Sequence, residues 1–282
     1  MQSVSLIQGT PEWHEFRQKH IGGSDASVCL GESKYMSPYE LYLEKIGEGK
    51  PKKVTTIMHQ GNILEEPARK AFEQVMDVSV FPVVRKHKEY DFMAASMDGL
   101  DMDEKIAVEI KCPFSKIYHQ MALNGVMPDH HMPQVQHQMS VLNIDKMYYF
   151  SYTIESHGLV VVNRDDDYIK NLISKEKEFW EMVQSRKPPE LTDKDYLEME
   201  STEWKELSDE WNRLCEMDDR KEAVRQRIIA LSGAQNAKGY GIRLTKVMRK
   251  GSVDYKAVPM LKGVDLEAYR KPSNESYRIT KI

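Results

Sequence analysis

Ser96-Met97-Asp98-Gly99 precedes Glu109-Ile110-Lys111, which brings two carboxylates and a lysine into range of one another. Glu109 and Lys111 are two apart on a strand-like segment, so they share a face. Asp98 reads as the end of the preceding strand, just before a glycine turn. A hairpin between the two strands puts all three side chains at one spot. Asp98 and Glu109 offer hard oxygen ligands to Mg²⁺ or Mn²⁺, and the Ile110 carbonyl can add a backbone ligand. A lysine beside such a metal can orient or deprotonate an attacking water and stabilise developing charge. This set suits phosphodiester hydrolysis with two ions per site. Charges also alternate on ordinary solvated strands. Here, however, Glu109 and Lys111 interrupt an apolar run (Ile106, Val108, Ile110) and run into Cys112-Pro113-Phe114. Charged groups near a buried strand end need partners.

Other residues can contribute. Glu65 or Glu66, in a helix that opens near Gly61, can face the metals, although acidic residues also favour a helix N-terminus. That plainer reading is preferred for Glu66, beside Pro67. Gln134 and Gln138 share one helical face and can position a water or a phosphate. His130, His131 and His137 invite a zinc reading, but neither a cysteine nor a carboxylate completes a ligand set. There is no G-x-x-x-x-G-K-[ST] loop, so ATP-driven motion is not expected.

The elements that must hold these groups alternate between helix and strand over 1–187, an α/β pattern. Helices are expected over 11–19, 38–46 and 63–75, from near 133, and over 167–185. Thr10 is a plausible N-cap for the first. Strands are expected over 78–86, 92–97, 106–111, 147–154 and 159–163. Residues 188–232 form an arm with an uninterrupted helical stretch from 192. Its seam runs Trp204, Leu207, Trp211, Leu214, then Val224, Ile228 and Leu231, which suits a coiled-coil arm or a helix packed on its own domain. Residues 233–282 read as a basic β-rich segment, with strands 239–249 and 253–258 flanking Lys250-Gly251-Ser252.

The 282 residues carry a formal net charge of −4, mildly against a nucleic-acid partner. That figure hides a division. Residues 233–282 hold 11 Lys/Arg against 4 Asp/Glu, so the remainder is strongly acidic. Arg243, Lys246, Arg249 and Lys250 can track a DNA backbone or simply balance the rest of the chain. No apolar run is long enough to span a bilayer, and the opening MQSVSLIQGTPEWHEF lacks the pattern of a secretory leader. Cys29, Cys112 and Cys215 lie far apart, which favours a reduced, cytoplasmic setting.

Five motifs occur in one order: Trp13-His14-x-x-Arg17 with Ser24; Gly61-x-x-x-Glu65-x-x-Ala68-Arg69; Ser96-x-Asp98-Gly99; Glu109-x-Lys111-Cys112-Pro113-Phe114; and Met132-x-Gln134-Val135-Gln136. Together, over about residues 8 to 187, they resemble the lambda exonuclease / YqaJ-type viral recombinase family of the PD-(D/E)xK nucleases. The resemblance implies a restriction-endonuclease-like α+β core, a central mixed β-sheet flanked by helices. It implies that Asp98, Glu109 and the Ile110 carbonyl hold the metals and that Lys111 acts on the water. Glu65 and Gln134 then assist, while Arg17, Ser24 and Ser96 hold a 5′-phosphate. Lys116 stands near the place of an arginine that some members use for that phosphate, without its bidentate fork. Met97 replaces a common proline.

The resulting expectation is a Mg²⁺-dependent exonuclease that degrades one strand of duplex DNA 5′→3′ and leaves 3′ overhangs. It would be phage or prophage encoded, acting in a bacterial cytoplasm on double-stranded DNA ends. A homo-oligomeric ring, with a trimer favoured, and a single-strand annealing partner complete it. The rivals are an endonuclease or nickase with the same site, and a catalytically idle DNA-binding assembly protein.

Overall fold

The computed structural model describes residues 2–49, 56–196, 200–231, 233, 237–239 and 242–244. These fall into two units, Met1–Leu197 and Glu198–Ile282.

The first unit is built on a six-stranded sheet: β1 (Gln2–Val4), β2 (Val80–Lys86), β3 (Ala94–Asp101), β4 (Ala107–Lys111), β5 (Lys146–Tyr152) and β6 (His157–Asn163). The strands lie in sequence order, and every neighbouring pair is antiparallel except β4 and β5. A parallel pair needs a crossover rather than a tight turn. That crossover carries α5 (Lys116–Leu123) and α6 (Met132–Leu142), which follow α1 (Pro11–Gln18), α2 (Ala26–Cys29), α3 (Pro38–Lys45) and α4 (Thr56–Met76) in the chain. The sheet is therefore mixed, as the resemblance implied, and β4 lies near its middle.

Side chains on β4 and β5 alternate between two cores, as strand geometry requires. Ala107, Met147 and Tyr149 join Val135 and Met139 of α6 on one face. Val108, Ile110, Tyr148 and Phe150 pack on the other against Ala68 and Phe72 of a long helix, Thr56–Met76. A third cluster unites Ile21 and Val28 with Leu41, Tyr42, Phe179 and Val183.

Local chemistry explains the helix ends. Pro11–Gln18 opens on Thr10, whose hydroxyl accepts the Trp13 amide, with Pro11 at the first position. Pro38–Lys45 opens on a Ser37/Glu40 capping box. Asp166–Gln184 opens on Asp165, whose side chain accepts the Tyr168 amide.

Several expectations change. Thr56–Met76 begins well before Gly61, so Glu65 and Glu66 lie mid-helix and no N-terminal preference applies. Glu66 instead pairs with Lys70, one turn on, at 2.8 Å. The helical stretch expected from 192 is not continuous. Asp193–Asp195 is a 3₁₀ turn capped by Thr192, and the helix of the second unit is Thr202–Leu231. Along that helix Trp204, Leu207, Trp211, Leu214, Met217 and Val224 are exposed. The second unit also holds a two-stranded pair, Ala237–Gly239 with Ile242–Leu244, and Arg243 lies on its second strand. The hairpin at Lys250-Gly251-Ser252, strand 253–258, Lys246 and Arg249 lie outside the described residues. Among the described residues no helix is long and apolar enough to cross a membrane.

Candidate active site

Asp98 does not end a strand. β3 runs on through Gly99 to Asp101, and the connection to β4 follows. The register of β2 against β3 shifts here: Phe81 pairs with Leu100, but Val83 pairs with Met97. Asp98 and Gly99 thus span on β3 what Pro82 alone spans on β2. Such a bulge re-aims a side chain, and Pro82 has no N–H to lose from the ladder. Gly99 serves close packing rather than a turn. A β-carbon there would stand 2.6 Å from Val80 Cγ2 and 2.7 Å from Val108 Cγ1.

The pairing of β3 with β4 covers Leu100↔Ala107 and Gly99↔Val108. Just past it, the Ile110 amide donates to Asp98 Oδ2 at 2.7 Å. A carboxylate stands where a backbone carbonyl would otherwise receive that proton. Glu109 and Lys111 do share a face, and Lys111 Nζ lies 2.5 Å from Glu109 Oε1.

Helix α6 closes this group. Gln134 donates to Glu109 Oε1 at 2.6 Å and accepts from Lys111 at 3.1 Å. Gln138 donates to Glu109 Oε2 at 2.6 Å. Its role follows from the i,i+4 face it shares with Gln134, a signal that by itself reads more often as a polar helix surface. Glu65 stands at the edge, half-buried, with Arg69 3.8 Å away. Arg69 also reaches the Asp98 carbonyl at 3.4 Å.

Burial pushes the Glu65 carboxyl up, as Glu109 does in part, while Arg69 opposes them. Burial and the Glu109 charge hold Asp98 well above the usual carboxylate range. Burial alone would lower Lys111, but Glu109 and Asp98 outweigh it and hold the ammonium above its ordinary value. Cys112 is pushed up to about 11, chiefly by burial and then by Asp98. It is therefore a thiol packed beside the Phe72 core and not a poised nucleophile.

The donors present suit a hard divalent cation. They are the carboxylates of Asp98 and Glu109 and the backbone oxygen of Ile110, with Glu65 at the margin. Burial first, and then the neighbouring Glu109 charge, push Asp98 up. Gln134 and Gln138 orient Glu109 as outer partners orient metal-binding carboxylates. Among the described residues no three His, Cys, Asp or Glu side chains form a ligand group. Asp98, Glu109 and the Ile110 carbonyl are the groups that would hold such a cation, as Mg²⁺ commonly takes one or two carboxylates and keeps water.

A second group gathers Arg17, Ser24 and Ser96. Arg17 donates to Ser24 Oγ at 2.7 Å and lies over the Trp13 ring at 4.7 Å. The indole N–H of Trp13 donates to Ser96 Oγ at 2.8 Å. The turn that carries Ser24 presses on α6. A β-carbon at Gly23 would stand 3.2 Å from Gln134 Cγ and 3.3 Å from Gln138 Cγ. The two groups are thus neighbours. Lys116 is not drawn in. It is exposed at the start of α5 and, among the described residues, bonds to neither group.

The three histidines do not converge. His130 and His131 meet with ring centroids 4.0 Å apart and planes tilted by 50°. His131 bonds Tyr149, and burial with the nearby Lys111 charge lowers its imidazole to about 3. His137 lies elsewhere, bonded to Glu176 at 2.7 Å and to the Ala94 carbonyl at 3.0 Å.

Residues 12–145 match the YqaJ-like viral recombinase domain. The protein YqaJ of Bacillus subtilis (strain 168) is 32% identical over 176 residues, 60% of this chain and 54% of that one. A protein of Acanthamoeba polyphaga mimivirus is 27% identical over 164 residues, 53% of this chain and 30% of its own. The chain spans about half or less of the length of these relatives. Among solved structures, an alkaline exonuclease from Laribacter hongkongensis superposes with a TM-score of 0.55 at 21% identity, over 63% of this chain and 94% of that one. The same enzyme in complex with dAMP gives 0.56. At that identity the likeness speaks for the fold. The domain match and the motif order agree that residues 12–145 are similar to a YqaJ-like viral recombinase domain.

Proposed function

We propose that this chain is a metal-dependent deoxyribonuclease that degrades one strand of duplex DNA from its 5′ end, leaving 3′ single-stranded overhangs for annealing. The observation that carries the reading is the bonded cluster of Glu109, Lys111 and Gln134, with Asp98 held on the Ile110 amide between Glu109 and Lys111, beside the Arg17–Ser24–Ser96 group. One group suits a reacting phosphodiester, and the other a terminal phosphate next to it.

Asp98, Glu109 and the Ile110 carbonyl hold the ions, two per site. Bound Mg²⁺ or Mn²⁺ supplies Lewis-acid charge to the phosphate and neutralises the carboxylates that keep Lys111 protonated. Lys111 and the Gln134 amide orient the attacking water, and Glu65 is placed to take part in moving its proton. Arg17, with Ser24 and Ser96, receives the 5′-phosphate, for which a planar guanidinium is suited. A ring of identical chains and a single-strand annealing protein belong to the same reading, and sedimentation of the full chain tests the ring.

The deciding experiment digests linear duplexes that bear or lack one 5′-phosphate, with Mg²⁺, and resolves end-labelled products by strand. Mononucleotides released from the 5′-phosphorylated strand are expected. Cleavage of covalently closed circular duplex would assign an endonuclease instead. No cleavage with either ion, together with an Asp98→Ala variant that binds DNA as before, would assign a binding protein.

A further inference from the structure

Lys45 is a buried cation with a specific set of partners. Its side chain is 1% exposed and donates to three oxygens. These are the carbonyls of Arg17 at 2.8 Å and His20 at 2.6 Å, and Asp25 Oδ2 at 2.7 Å. Two of these partners lie at and beyond the end of the Pro11–Gln18 helix, and the third ends the turn that carries Ser24.

Asp25 sits between two cations but hydrogen-bonds only one. Its Oδ2 also accepts the Gly22 amide at 3.0 Å. Its Oδ1 stays 3.7 Å from Arg17 Nη2, which spends its bond on Ser24 instead. The Arg17 side chain remains 28% exposed. Burial alone would raise the Asp25 carboxyl, yet Lys45 and then Arg17 hold it well below the ordinary range. Asp25 is therefore a fixed negative charge in need of a counterion. A charge-assisted N–H···O bond closes at about 2.8 Å, so a shift of about 1 Å would let Asp25 capture Arg17 outright. Lys45 sits on the other oxygen, Oδ2, and offsets the charge that would draw Arg17 across that gap.

We propose that Lys45 is a positioning residue. By satisfying Asp25 it leaves the Arg17 guanidinium, with Ser24, open toward an anionic ligand, the terminal phosphate of a DNA strand. This rests on the reading of Arg17, Ser24 and Ser96 as a 5′-phosphate pocket. A purely structural lysine would pin the helix end to the turn through the two carbonyls and would not depend on which residue stands at 25.

The test measures binding by fluorescence anisotropy in EDTA, for duplexes ending in a 5′-phosphate or a 5′-hydroxyl. The wild-type chain is expected to favour the phosphate. Lys45→Met should lower that preference by about tenfold, because Asp25 then claims Arg17. Lys45→Met/Asp25→Asn removes both buried charges together and should regain most of the preference. If Lys45→Met does not fold, Lys45→Gln keeps a donor for the carbonyls and should show the same loss. A folded single variant that keeps its preference overturns the proposal. So does a folded double variant no better than the single one. Equal binding of both ends by the wild-type chain overturns the pocket itself, and this inference with it.

Discussion

Gln138 donates to Oε2 of Glu109 at 2.6 Å, and that carboxylate is only 2% exposed. Gln134, one helical turn earlier, donates to the other oxygen. Glu109 is thus fixed from both sides by α6. Gln138→Leu should leave Oε2 buried without that donor and destabilise the chain by about 1–3 kcal/mol. Urea unfolding measures this, and an unchanged midpoint would show that the bond contributes nothing.

Lys111→Met should reduce single-turnover cleavage by about 10²-fold or more, the usual worth of a positioned proton-handling group. Duplex binding in EDTA should be unchanged. Turnover near the wild-type rate would take Lys111 out of the chemistry.

Asp98 gives an opposite signature. Burial and Glu109 hold its carboxyl high, so the ionised form is disfavoured in the fold. Its contribution to stability therefore falls as pH rises above the ordinary carboxylate range, near about 4. Asp98→Asn should raise the melting temperature in EDTA at neutral pH. It should also abolish cleavage and the extra stability that Mg²⁺ gives the wild-type chain. A lower melting temperature in EDTA would show that the carboxylate stabilises the cation-free fold.

His137 and Glu176 form a buried pair with the same sign of pH dependence, set in a higher pH window. Burial alone would depress the imidazole, but Glu176 and the Ala94 carbonyl hold it above its usual 6.5. The stability this gives is full below about pH 6.5 and is lost as pH rises through the folded value. Thermal melts from about pH 6 to about pH 9 should decline for the wild-type chain, and the decline should be shallower in Glu176→Gln.

Gly99→Ala drives a methyl group into Val80 and Val108. Overpacking of this kind costs about 1–3 kcal/mol. Because Gly99 adjoins Asp98, cleavage should fall further than stability. Wild-type activity in this variant would mean that the bulge relaxes without moving Asp98.

Much of the architecture was legible because it rests on local rules. Thr10-Pro11 and the apolar runs of β4 and β5 announce their elements directly. The same-face pairing of Glu109 and Lys111 follows from strand geometry alone. The bulge at Asp98-Gly99 was not legible, because it depends on what β2 places opposite. Asp-Gly reads locally as a turn. The partnership of Lys45 with Asp25 and the Arg17 carbonyl was hidden for a similar reason. It joins residues 20 and 28 apart in sequence, through a contact that no spacing rule encodes. The Asp193–Asp195 turn was missed because a polar helical run and a capped 3₁₀ turn share the same composition.

The Ile110 amide, held by Asp98 rather than by a neighbouring strand, makes one main-chain proton a witness to the cluster. Its exchange with deuterated solvent is slow only while that carboxylate stays turned toward it. Whatever draws the carboxylate away quickens exchange at this single atom, and its amide resonance shifts with it. The molecule carries its own reporter of occupancy, readable without DNA, without a dye and without turnover.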